Sequence, residues 1–173
     1  MIPWYHSDHR SNVFKNLGLI EIQDEEIIMI TEEHFRRLEQ MYLGAPCNEY
    51  YQPKIKIERG IAEVIIPIQP KFFHAAKAAH GSIYFKAIDD AAYFAVNSLV
   101  PDVFVLTVSL NVQLIKPISE GSLKCSGKVI YFSSRFYFAE AIAYNSEGRE
   151  IARGTGNFVK SNIALSPEIG YKL

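Results

Sequence analysis

The chain has 173 residues, 18 Lys and Arg against 19 Asp and Glu for a formal net charge of −1, and 49% hydrophobic residues. That length fits one domain with a real core, and the composition is globular, not disordered, collagenous or disulfide-stapled. Balanced charge offers no basic stripe to nucleic acid, no run nears the roughly 20 apolar residues of a membrane helix, and Met1–Arg10 has neither the basic nor the apolar region of an export signal. A cytoplasmic protein with no nucleic-acid or membrane partner is expected. Cys47 and Cys125 lie far apart with no further Cys or His at ligand spacing, so they read as reduced thiols and no metal site is expected.

Residues 1–30 form an N-terminal extension of no legible shape. From Thr31 a hydroxyl precedes acidic first-turn residues, and Phe35, Leu38, Met41 and Tyr42 recur at helical spacing. This predicts a helix over 31–43, stopped by Gly44-Ala-Pro46. Alternation over 54–58, a turn at Arg59-Gly60 and a second run over 61–68 predict a hairpin. After a loop from Pro70 to Ala79, residues Gly81 to Leu99 carry only Lys86, Asp89 and Asp90 as charges. A helix apolar almost all round must be enclosed, and Ala87, Ala91, Ala92 and Ala95 keep it thin.

The enclosure follows in the chain. Phe104, Leu106, Val108, Leu110, Val112 and Leu114 alternate with the polar Thr107, Ser109, Asn111 and Gln113. That pattern predicts a strand with its even positions buried and Thr107 facing away from the helix. Further strands are predicted over 123–131, 135–144 and 149–160, the last with Ala152, Gly154 and Gly156 on one face for close approach of the helix. The order, without βαβ alternation, gives an α+β fold with an antiparallel sheet around one long buried helix. The domain is expected over 31–162, with a C-terminal tail over 163–173.

No dinucleotide, nucleotide-triphosphate, nucleophile-elbow, zinc-protease or calcium-loop motif is present. The chemistry-bearing residues gather around the central helix: His74, His80, Gly81, Asp89, Asp90 and Thr107. Gly81 sits where the helix begins, so its N–H can stabilise negative charge on a carbonyl oxygen; equally, His80-Gly81 can serve as a plain turn into the helix. Asp89 and Asp90 interrupt an apolar run where an unpaired carboxylate is costly. They point about 100° apart, so one of the two suffices for a site. From His80 to Asp89 is about 13.5 Å along a helix, too far for both to touch one substrate atom. A site using both ends therefore takes them from two antiparallel protomers.

His80-Gly81-Ser82, Asp89 nine residues after the His, Thr107-Val-Ser-Leu-Asn111 running to Lys116-Pro117, the Gly121 turn, and the stretch Gly148 to Phe158 together resemble the hotdog-fold thioesterases. Among them the phenylacetate-pathway-type acyl-CoA thioesterases are most similar, over about residues 45–160. The resemblance implies a sheet wrapped around the helix, a homodimer joined through its sheets and often paired into a homotetramer, and sites at the subunit interface. It implies hydrolysis of an acyl-CoA thioester, with the Gly81 N–H polarising the carbonyl, Asp89 as base or nucleophile, and Thr107 assisting water. Ser82, a candidate substrate-binding residue, replaces the usual second Gly after His80, and His74 stands where relatives often carry Asn. Coenzyme A would be part of the substrate, with no cofactor. Arg135, Arg153, Gly154 and Thr155 are the candidates for phosphate contacts. A hotdog acyl-thioester dehydratase or hydratase and a non-catalytic acyl-CoA-binding module are the alternatives. The acyl group is not legible, since Phe, Tyr and Ala line aromatic and aliphatic pockets alike.

Overall fold

The computed structural model describes residues 30–173; the expected N-terminal extension lies, but for Ile30, outside them. Helix α1 (Glu32–Leu43) buries Phe35, Leu38, Met41 and Tyr42, the stripe that its spacing predicts. A short helix α2 (Asn48–Tyr51) follows, locked by the Asn48 side-chain amide donating to Tyr42 O at 2.6 Å. Strands β1 (Lys54–Glu58) and β2 (Ile61–Pro67) form the predicted hairpin, and helix α3 (Gly81–Asn97) the predicted central helix. Strands β3 (Val103–Leu114), β4 (Ser122–Phe132), β5 (Tyr137–Tyr144) and β6 (Glu150–Ala164) complete a six-stranded sheet in the order β1-β2-β4-β5-β6-β3, with every pair antiparallel. This is the hotdog fold.

The sheet curls round α3, on which Ala87, Ile88, Ala91, Ala92, Ala95 and Val96 are wholly buried. Two glycines allow the approach. A Cβ on Gly127 of β4 would lie 2.7 Å from Ala92 N and closer still to the Ala91 carbonyl, and one on Gly154 of β6 would lie 2.7 Å from Ile88 Cγ2. The sequence pattern pointed to the β6 glycines; the tightest seat is Gly127, and the space beside Gly156 is filled instead by the Phe158 ring and Leu110.

The sheet's two edges differ. Along β1 the ladder groups of Ile57 are capped from α1: its N–H donates to Glu39 Oε1 at 2.7 Å and its carbonyl accepts from Arg36 Nη2 at 2.6 Å. Arg36 and Glu39 themselves pair at 2.7 Å. The β3 edge has no strand beside it among the described residues, and an open edge of 12 residues is a template for pairing.

Strand β3 departs from its predicted register. Thr107 pairs with Phe158 but Ser109 with Asn157, so Val108 is an extra residue in the ladder, a bulge that changes which side chains face inward. Leu110 and Val112 face α3 as expected, opposite Gly156 and Gly154. Before the bulge the inward face passes to the odd positions: Val105 is buried while Leu106 and Val108 are exposed. Thr107, expected to face away from the helix, therefore faces it, across from the buried Phe158.

At the chain's other end β6 runs on to Ala164, and a 3-10 turn at Pro167–Ile169 leads into a tail held on α1. His34 Nε2 lies 3.0 Å from Asn97 O and must donate to it, so Nδ1 accepts from the Tyr171 hydroxyl at 2.7 Å.

Candidate active site

Helix α3 begins at Gly81 because His80 caps it. The His80 Nδ1 accepts the Ser82 N–H at 3.2 Å and the Ser82 hydroxyl at 2.9 Å, so Ser82 is the capped residue and His80 supplies the cap. No acceptor among the described residues takes the Gly81 N–H. It stands free at the positive end of a 17-residue helix. A Cβ on Gly81 would meet only Leu114 Cδ1, at 3.2 Å. His74, exposed in the preceding turn, accepts Ala76 N–H on its Nδ1 at 3.1 Å and so closes its own turn.

Two turns further along α3 lies Asp89, half-buried beside the open β3 edge. Its Oδ1 accepts the Thr107 hydroxyl at 3.0 Å, and no described residue bonds its Oδ2. Burial raises the Asp89 carboxyl above its ordinary value, the Thr107 hydrogen bond offsets this in part, and the Asp90 charge adds to the rise. A carboxylate made more basic, with one oxygen oriented and the other free, is equipped to accept a proton.

Asp90 points the other way and is committed. It accepts the Tyr42 hydroxyl at 2.6 Å and is ion-paired to Lys86. Burial raises its carboxyl, with Lys86 and Tyr42 opposing. Tyr42 and Lys86 were not singled out in the sequence. Tyr42 hides in the apolar stripe of α1, and Lys86 shows itself only by standing four residues before Asp90. Burial also pushes the Cys125 thiol far up, away from reactive thiolate chemistry.

The residues considered for phosphate contacts do not converge on one point. Arg153 lies on the outer face, where its Nε and Nη2 hold both carboxylate oxygens of Glu150 at 2.6 and 2.8 Å. Thr155 is outward beside it in sequence, Gly154 is buried under Ile88, and Arg135 is exposed in the β4–β5 loop. Among the described residues no three His, Cys, Asp or Glu side chains gather as metal ligands, and no helix is long and apolar enough to cross a membrane.

Along α3 the Gly81 N–H and Asp89 are eight residues, about 12 Å, apart, so one protomer does not present both to the same carbonyl.

Comparison with known proteins bears on the same stretch. The family Thioesterase superfamily matches residues 76–152, which hold Gly81, Asp89 and Thr107. A Saccharolobus solfataricus protein named "Putative esterase SSO1253" is 26% identical over 104 residues, 60% of this chain and 69% of its own length. The Escherichia coli PaaI protein of the phenylacetic acid degradation operon superposes with a TM-score of 0.72 at 16% identity, over 79% of this chain and 99% of that one. A thioesterase family protein from Silicibacter pomeroyi does so with a TM-score of 0.69 at 21% identity, over 73% and 96%. The structural likenesses carry the hotdog fold, and the stretch similar to the Thioesterase superfamily spans the central helix and its two polar stations.

Proposed function

We propose that the protein hydrolyses acyl-CoA thioesters at a composite site between two antiparallel protomers, with Asp89 as general base and the partner protomer's helix N-terminus as oxyanion donor. The similarity to the Thioesterase superfamily and to a protein named as an esterase supports thioester hydrolysis in general. The observation that carries the finer reading is the Asp89–Thr107 pair at 3.0 Å, a basic carboxylate held on the side of α3 next to the β3 edge, which no described strand covers.

Water attacks the thioester carbonyl carbon and loses its proton to the free Oδ2 of Asp89. The carbonyl oxygen gathers negative charge, which a free helix-terminal N–H stabilises. The C–S bond then breaks, and the proton held by Asp89 passes to the departing sulfur, giving the free acid and the CoA thiol. Pairing of two β3 edges brings a second helix to the first with opposed direction, which supplies the amide that one chain cannot.

The test is thiol release from a panel of acyl-CoA esters by the parent and by Asp89→Asn, with light scattering at several concentrations. Turnover should fall by about 10²–10⁴-fold in the variant, and the parent should be at least dimeric. An active monomer, or an Asn variant with full turnover, would refute the composite site.

A further inference from the structure

Beside Asp89 opens a groove of about 1150 Å³, walled by α1 and the loop after it, by α3, by the start of β3 and by the C-terminal tail. It is large for a small-molecule site, which commonly encloses about 300–1,000 Å³. Its two outer walls, residues 40–48 and 167–173, lie outside the stretch 76–152 that matches the superfamily.

Both walls are fixed in place. The Tyr42 ring packs edge-on against Phe94 at 5.0 Å while its hydroxyl is tied to Asp90. The tail is pinned by Tyr171 to His34 and turns at Gly170, in the left-handed region at φ +87°, against Met41. Between them the groove presents Leu43, Phe94, Phe104, Leu106, Ile169 and Leu173. Its cations are Lys86, already paired with Asp90, and Lys172, and these are outnumbered by Asp89, Asp90 and Glu168. Such a surface repels the phosphates of a nucleotide and favours an apolar occupant.

We propose that this groove seats the acyl group of the substrate, and that it selects apolar acyl chains of medium length or longer over acetyl; the proposal rests on the acyl-CoA reading above. The groove opens on the reacting carboxylate, since Asp89 and Thr107 both line it. From Asp89 to Phe94 the groove follows α3 for about 7.5 Å, the length of an extended alkyl chain of roughly six carbons.

The experiment is calorimetric binding of two unhydrolysable thioethers, S-ethyl-CoA and S-decyl-CoA, to the full chain, alongside thiol release from the matching thioesters. S-decyl-CoA should bind about 100-fold more tightly or better, still below the fourfold per methylene that complete burial would give. Ala45→Trp, which fills the groove from its loop, and Leu43→Asp, which makes the wall polar without adding bulk, should each shrink that preference at least tenfold. Two variants guard against one failing to fold. Equal affinity for the two thioethers, binding of neither, or a preference that survives both substitutions would overturn the groove assignment. Preferential binding of S-decyl-CoA without hydrolysis of any thioester would overturn the hydrolase reading and leave the groove assignment standing.

Discussion

Replacing Gly127 with Ala tests how α3 is seated. Two effects oppose each other. Gly127 is not among the glycines of positive φ, so Ala fits its backbone, and the loss of freedom in the unfolded chain alone would stabilise the protein by about 0.4–1 kcal/mol. Against this, the new methyl falls 2.7 Å from Ala92 N and nearer still to the Ala91 carbonyl. Both are helix backbone and cannot rotate aside as a side chain would, so the overpacking cost belongs at the upper end of its usual range, about 3 kcal/mol. The net is about 2 kcal/mol of destabilisation, or about 4–8 °C in Tm for a chain of this size. Scanning calorimetry at matched protein concentration measures it. Gly154→Ala is the milder comparison: its methyl would meet Ile88 Cγ2 at 2.7 Å and the Asn111 carbonyl oxygen at 2.9 Å, farther than the Ala91 carbonyl lies from the Gly127 methyl, and it should lose less. A Gly127 variant that melts at or above the parent would refute the claim that this glycine lets the helix reach the sheet.

The remaining expectations concern the site. Thr107→Val keeps the volume but removes the donor to Asp89 Oδ1; that bond favours the ionised carboxylate, so its loss moves the acid limb of the kcat/KM profile to higher pH and lowers activity there by about fivefold, for about 1 kcal/mol. Asp90→Asn leaves Lys86 without its counter-charge and should cost about 1–3 kcal/mol of stability by thermal melt, with turnover kept far above that of Asp89→Asn. Because burial raises the folded-state Asp89 carboxyl, the native protein holds that proton more tightly than the unfolded chain; this favours folding at low pH and is lost as pH rises through the raised value. Asp89→Asn should therefore melt at or above the parent at about pH 7–8, with the gap closing toward about pH 4. Gly81→Val, facing the exposed and movable Leu114, should keep most of its melting temperature and lose turnover by about 10²-fold; unchanged turnover would remove Gly81 from the site.

The large elements could be read because their signals are local. Thr31 with the stripe from Phe35 to Tyr42, the alternation around Arg59-Gly60, and the nearly uncharged run from Gly81 to Leu99 each state a period and a boundary. Asp89 and Asp90 stand out as charges in apolar surroundings. Their division of labour does not: it depends on Tyr42, 48 residues away from Asp90, which is indistinguishable in sequence from any other apolar-face aromatic. The β3 register was hidden for a different reason. The alternation from Phe104 to Leu114 is unbroken, so nothing in it marks Val108 as the residue that steps out of the ladder. The tail's role was equally silent, since the hydrogen bond between His34 and Tyr171 spans 137 residues.

That misstep in the ladder reconciles two demands. A strand on the helix must offer apolar side chains to the core, yet a carboxylate on that helix needs a hydroxyl beside it. In a regular strand, a polar residue turned inward at 107 would bring Ser109 and Asn111 with it. The extra residue breaks the phase, so polar chemistry at 107 and apolar packing at 110 and 112 occupy one face without either constraining the other. Leu106 and Val108, freed from the core, are left outward beside the open edge. A single inserted position thus separates what may vary for reactivity from what must be kept for folding.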